Sequence, residues 1–246
     1  MKAPISARPL NTWDMAKVAA IVLMFIDHTG AYYFTDETWL RAVGRGAAPI
    51  FLYLAGFAAS YRFNWEIFIL ATLLAIANLM LGFPLYQFNI LFTILICRAI
   101  LDWLEKRNKT ISRPHEWFIG ALALIPATCE VFMYGSLGMM FALSGYFKRK
   151  ASVYSPRMQR NFMRATFVTF GLWELVAFKF FDIDTMILVI VLCGVYRFLC
   201  ALEVRATDLS HYPAWLAKFC KFVSYYSARI YVLHLLIIWA ITQQHV

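Results

Sequence analysis

The chain has 246 residues, of which 62% are hydrophobic and only 15% charged, with a formal net charge of +9. A soluble domain is about half apolar and a quarter charged, so an ordinary water-soluble globule is excluded and a polytopic membrane protein is expected. The basic residues stand in short loops between apolar runs and form no basic domain, which argues against a nucleic-acid partner and assigns them to orientation in the bilayer. Cys97, Cys129, Cys193, Cys200 and Cys220 show no C-x-x-C spacing, so neither a disulfide framework nor a metal site is expected.

The first apolar run, Lys17 to Phe34, carries Asp27 and His28 side by side in its interior. About 20 residues of helix cross a hydrocarbon core of about 30 Å, so the run reads as a span with Asp27 near mid-depth. It exceeds a signal-peptide core and lacks a small-residue cleavage site, and so reads as a retained first helix. An acid at that depth is costly unless paired or hydrated, which makes it a functional candidate by default.

Spans are expected at about 16–34, 43–61, 66–82, 87–104, 116–129, 131–147, 162–181, 185–203 and 222–242, from hydrophobic patterning. With the N-terminus cytoplasmic, the clusters around Lys106 and Lys148 fall on one side, and only Arg41 and Lys179 lie in the opposite loops. That bias requires residues 117–147 to return on themselves, as two short helices or a re-entrant hairpin around Glu130. The expected fold is an all-α integral membrane bundle of about nine transmembrane helices, in one domain over residues 1–246. No soluble catalytic domain is expected, so any chemistry lies within or beside the bilayer.

Seven intramembrane polar residues then share the outer half of the bundle: Asp27, His28, Arg45, Asn89, Glu130, Glu174 and His234. Adjacent helical residues point about 100° apart, so one arrangement gives Asp27 to Arg45 as an ion pair and leaves His28 to a cavity. The alternative is a helix-fastening ion pair with histidines hydrogen-bonded inside the bundle. Nearer the cytoplasm, Arg98, Arg197 and Arg229 offer planar donor forks suited to phosphate, or else snorkel to headgroups; Lys148 and Arg149 belong to an orientation signal that can also meet a ligand. Gly44, Gly46 and Pro49 mark a helix start, and Gly82 with Pro84 a tight outer loop, while Trp39 and Tyr86 read as interfacial anchors. Ser60, Ser224 and Ser227 lack a nucleophile-elbow context.

Several stretches together resemble the TraX family of conjugative F-pilin acetylases. They are LMFIDH at 23–28, GRGAAPIF at 44–51, GFPLYQFNILF at 82–92, YGSLGMM at 134–140 and SARIYVLHLL at 227–236. They fall in the family's order over nearly the whole chain, with Ala48 where the family usually has an aromatic. The resemblance implies an inner-membrane acetyltransferase carrying acetyl from acetyl-CoA to the N-terminal amine of a pilin subunit, with no metal. For such a reaction the candidate residues are His28 as base with His234 as substitute or acetyl carrier, Asp27 or Arg45 to hold its surroundings, Asn89 or Arg45 as oxyanion donor, and Arg98, Arg197, Arg229 or the cluster of Lys148 and Arg149 for the phosphates. The rival functions are a proton-coupled transporter with Asp27, His28, Glu174 and His234 as relay, a noncatalytic pilus-assembly scaffold, and an O-acetyltransferase for an envelope sugar.

Overall fold

The computed structural model describes residues 10–82, 88–179, 182–203 and 213–242. They form α1 (Thr12–Tyr32), α2 (Thr38–Gly44), α3 (Ala47–Phe57), α4 (Trp65–Met80), α5 (Ile90–Lys106), α6 (Pro114–Ala123), α7 (Ile125–Val131), α8 (Gly135–Arg149), α9 (Pro156–Phe178), α10 (Asp182–Ala201), α11 (Ala214–Tyr225) and α12 (Ser227–Thr242). The described residues contain no strand, so the all-α expectation holds. Contacts divide the chain into two units, Met1–Phe51 with Phe180–Val246 and Leu52–Lys179, and the first boundary falls inside α3.

In the first unit, α1 opens on a capping box. Asn11 accepts from the Asp14 N–H at 2.9 Å and Asp14 accepts from the Asn11 N–H at 3.3 Å, which satisfies orphan donors of the first turn. Asp14 is fully buried because Ser224 at the end of α11 also donates to it, at 2.5 Å. Lys17 adds a bond to the Ser224 carbonyl at 3.3 Å. Further on, His234 meets His28, and Trp239 donates to the Tyr32 hydroxyl at 3.0 Å. The paired numbers rise together, so α12 runs parallel to α1. The opposite sense belongs to α10: Thr12 donates to the Glu203 carbonyl at one end, and Thr38 donates to Asp184 at the other.

Two described helices are long and apolar enough to cross a membrane, Thr12–Tyr32 with 21 residues and Ile183–Ala201 with 19. Trp215–Tyr225 and Ser227–Thr242 qualify only together, bent by 79° at their break, which makes up to three candidate spans among the described residues. The other sequence-expected spans fall on helices that are shorter or more charged. Helix α4 has 16 residues, α5 has 17 and α8 has 15, while the first half of α9 carries Arg157, Arg160 and Arg164. Outward faces are nonetheless apolar: Ile69, Leu73 and Ile76 of α4, Val168, Leu172 and Val176 of α9, and Leu233 and Ile237 of α12 are all exposed. A surface of this kind suits hydrocarbon better than water.

Two expected spans prove to be broken. Residues 43–61 divide between α2 and α3 at Arg45 and Gly46, where two flanking glycines weaken the helix and allow the chain to swing. Residues 222–242 divide at Tyr226, so α11 and α12 meet α1 as two separate helices.

In the second unit, α8 is the central rod. Every residue from Leu137 to Phe147 is buried, the pattern of a helix enclosed on all sides. It crosses α3 with almost no side chain between the backbones: a methyl on Gly56 would strike the Ala142 carbonyl, and one on Gly145 would strike the Tyr53 carbonyl. Such small-residue crossings are how helices approach closely in lipid. The expected return of residues 117–147 occurs, but its turn lies at Phe132–Tyr134 instead of Glu130. Tyr134 takes a left-handed conformation there, with φ 68°, and Phe88 exchanges backbone bonds of 2.8 Å with Val131 and Met133. Gly82 is also left-handed, with φ 79°, as a tight loop requires. Pro84 and Tyr86 lie outside the described residues. On the polar side, Tyr154 accepts from the Ile111 N–H at 2.9 Å, and burial raises its phenol above the ordinary range.

The crossing of α3 and α8 leads to an expectation. Gly56→Ala and Gly145→Ala each force backbones apart and lower stability by at least about 1–3 kcal/mol. Gly120→Ala, where nothing lies within 4 Å, leaves stability unchanged or raised. Thermal unfolding in detergent distinguishes the two outcomes.

Candidate functional site

The site of the first unit is built where α2 comes down onto α1. Gly44 sits so close that a methyl group there would overlap the Cα and Cβ of Asp27. That approach is what lets the next residue reach the carboxylate. Arg45 Nη2 donates to both Asp27 oxygens, at 2.6 and 2.5 Å, and its Nε donates to Oδ1 at 3.1 Å. Arg41, one turn earlier, donates to the Asp27 backbone carbonyl at 3.0 Å and lies 3.2 Å from the carboxylate. A buried acid thus holds two guanidiniums, and the pair expected between Asp27 and Arg45 forms. Charge-assisted forks of this kind are among the stronger polar contacts, and in a low dielectric they are costly to break singly.

His28 points elsewhere, as its 100° rotation from Asp27 demands. Its Nδ1 lies 2.5 Å from His234 Nε2, with the two ring planes only 10° apart and their centroids at 4.8 Å. His234 Nδ1 in turn is 3.1 Å from the Ile230 carbonyl. A carbonyl can only accept, so His234 carries its proton on Nδ1 and offers a lone pair at Nε2. His28 must then donate from Nδ1, which leaves its Nε2 without a proton. That nitrogen is 4.0 Å from Asp27 Oδ2, beyond a hydrogen bond but within reach of the carboxylate field. The His28 side chain is 16% exposed, and Tyr32, Tyr231 and Phe25 wall the ring pair. An oriented, unprotonated nitrogen on a partly exposed imidazole can act as a general base.

The remaining sequence candidates have different surroundings. Asn89 belongs to the second unit, where it caps α5 by accepting from the Leu91 N–H at 3.1 Å and donates to the Ala71 carbonyl at 2.9 Å. Glu130 and the buried Glu174 belong to that unit too. Arg98 and Arg149 meet at one loop: Arg98 donates to the Ser60 and Arg62 carbonyls at 2.9 and 3.1 Å, and Arg149 to the Ala59 carbonyl at 2.7 Å. Arg149 also lies 5.5 Å from the Tyr61 ring. Lys148, on the same turn of α8, is half-buried. Arg197 on α10 and Arg229 on α12 are exposed, with Arg229 placed 5.1 Å over the Tyr226 ring.

Sequence reasoning treated Arg41 as an outer-loop charge, although its four-residue spacing from Arg45 puts both on one helix face. Tyr32 and Tyr231 were also missed. They stand four residues after His28 and three before His234, a spacing that makes them helical neighbours of the ring pair.

These features define an all-helical, membrane-associated protein with a polar cluster buried between apolar helices. The chain belongs to the TraX family: the family profile, described as TraX protein, matches residues 12–242. It is 30% identical over 106 residues to Protein TraX of Escherichia coli strain K12, a stretch covering 39% of this chain and 41% of that protein. A second Escherichia coli Protein TraX is 32% identical over 106 residues, again 39% and 41% of the two chains. Uncharacterized protein RP591 of Rickettsia prowazekii strain Madrid E is 26% identical over 145 residues, 58% of each chain. The matched stretches thus span about half the length of these relatives. No solved structure matches.

The carboxylate cluster has a measurable signature. Asp27→Asn leaves two guanidiniums without their countercharge and lowers stability by about 3–5 kcal/mol. The double variant Asp27→Asn with Arg45→Gln recovers part of that loss, and Gly44→Ala reproduces it by wedging α2 away. Denaturant unfolding in detergent micelles measures all three.

Proposed function

We propose that this protein is an acetyltransferase of the bacterial inner membrane that moves acetyl from acetyl-CoA to the N-terminal amine of a conjugative pilin subunit. Membership of the TraX family supports the pilin connection through the resemblance set out above. The observation that carries the chemistry is the chain from the Ile230 carbonyl through His234 to His28, which leaves His28 Nε2 as an oriented base.

In this reaction the amine nitrogen attacks the thioester carbonyl carbon, and His28 Nε2 takes the ammonium proton as the C–N bond forms. An imidazole suits the task because its ordinary pKa lies near 6.5, close to working pH. The negative charge that develops on the carbonyl oxygen faces the positive field of Arg45 and Arg41, and such stabilisation is commonly the largest single catalytic term. Collapse breaks the C–S bond, and the thiolate leaves with the proton held on His28. The products are an amide and the free thiol. His234 acts through His28 by fixing its tautomer, and Asp27 holds the arginines.

Arg197 and Arg229 are the proposed phosphate contacts. Both are exposed, and both lie on the side of His28 toward the start of α1, as the antiparallel course of α10 and the parallel course of α12 require. Arg98 and Arg149 direct donors to backbone carbonyls, so their loss costs stability first. The lipid bilayer is the medium, with several of the shorter helices completing a multi-pass arrangement.

Intact-mass measurement of pilin from cells with and without this gene tests the activity directly: the acetyl increment disappears with the gene. His28→Ala, in protein that still inserts and folds, lowers the acetylation rate by about 10²–10⁴-fold. His234→Ala gives a smaller loss at unchanged acetyl-CoA affinity. Fully acetylated pilin in the His28→Ala strain overturns the assignment, and so does unchanged acetyl-CoA affinity after neutralising Arg197 and Arg229 for their part.

A further inference from the structure

The second unit contains a cavity of about 500 Å³ between α5, α6, α7 and α8 that the proposed reaction does not use. Its volume lies within the usual range for ligand pockets, roughly 300–1,000 Å³. The lining is almost wholly apolar, with Ile96, Ile100, Trp117, Leu124 and Met139 as its main surfaces.

Three hydroxyls border it, and each is turned to a carbonyl of the wall. Thr93 donates to Met133 at 2.6 Å, Thr128 to Leu124 at 2.7 Å and Ser136 to Ala121 at 2.7 Å. None of these donors is spent on an occupant, so a polar guest would lose hydrogen bonds to water and gain few in return. A hydrocarbon guest has no such cost.

Gly120 supplies an independent observation. It lies in the interior of α6, where glycine costs about 1 kcal/mol relative to alanine. A methyl group there would meet nothing within 4 Å. No packing against the protein itself therefore explains the missing side chain, which leaves bare helix backbone facing the cavity.

The surroundings indicate where a guest comes from. Ile96, Ile119, Leu122 and Leu124 are exposed beside the cavity, so its apolar wall continues onto an outer apolar surface. At the start of α6 the lining also includes Glu116, which holds Arg113 in an ion pair of 2.7 Å. The site therefore has an apolar body, an apolar entrance and a polar end at which a headgroup can stay hydrated.

We propose that this cavity is a binding site for one acyl chain of a bilayer phospholipid. The chain lies along α6 against Gly120, with its headgroup at the Arg113–Glu116 end. This site is independent of acetyl transfer at His28.

The test uses the full-length protein in nanodiscs containing phosphatidylcholine with a diazirine near the end of one acyl chain. Photolysis is expected to label peptides spanning Ile96–Ile100 and Trp117–Leu124 above the exposed faces of α9 and α10, saturating at one chain per protein. Gly120→Phe fills the space and reduces cavity labelling several-fold, Gly120→Ala reduces it less, and labelling of α9 and α10 is unchanged in both, which also reports that the protein remains folded. Label spread evenly over all exposed apolar faces, indifferent to Gly120→Phe, overturns the site and leaves ordinary boundary lipid. Labelling by a diazirine acyl-CoA but not by the phospholipid overturns the proposed occupant.

Discussion

A carboxylate inside an apolar helix is tolerable only when its countercharge is already in place, and the first unit is arranged to keep Asp27 and Arg45 together. The contact is steric before it is electrostatic. Without a bare α-carbon at Gly44, the backbone of α2 could not descend to the level of Asp27, and the guanidinium of the next residue would fall short. Arg45 still has helical backbone angles at the end of α2, so it stays on the same face as Arg41 and both guanidiniums meet Asp27. Once Asp27 is neutralised on its own side, His28 is free to turn toward α12.

The two histidines then form one hydrogen-bonded chain. His234 is anchored by the carbonyl of its own preceding turn, a contact that costs the helix nothing because that oxygen already accepts from the backbone and has a second lone pair. The resulting donation runs in one direction only, from His28 through His234 to the Ile230 carbonyl inside α12, which leaves the lone pair of His28 Nε2 at its outer end. The rings of Phe25, Tyr32 and Tyr231 pack around the pair. The first unit thus holds two buried polar clusters, Asp14 with Ser224 near the start of α1 and Asp27 with its arginines further along.

Much of this was legible in the sequence, and the gaps have physical causes. An acid inside one apolar run and an arginine opening the next pointed to the contact of Asp27 with Arg45, and two intramembrane histidines pointed to His28 and His234 as a pair of interest. Their pairing across the chain was not legible, because no local pattern records a contact between residues 206 positions apart. Hydropathy averages also pass over helix breaks: Arg45 and Gly46 interrupt one apolar run and Tyr226 another, with no change in mean polarity. The turn was placed at Glu130 because charge was taken as the marker of a loop, whereas Tyr134 makes the turn by adopting a left-handed backbone. The carbonyl contacts of Arg98 and Arg149 are hidden for a different reason, since a backbone acceptor has no side chain to announce it.

The separations along the chain also carry an order of assembly. A nascent membrane protein enters the bilayer from its N-terminus, so partners close in sequence become available to each other first. Asp27 and Arg45 are 18 residues apart, and the buried charge gains its countercharge almost as soon as it is inserted. His28 waits for α12, the last described helix to be synthesised. The contact of Asp27 with Arg45 therefore needs only the first two described helices, whereas that of His28 with His234 forms only when α12 docks. A chain interrupted before α12 would keep the ion pair of Asp27 with Arg45 while His28 lacked the ring of His234.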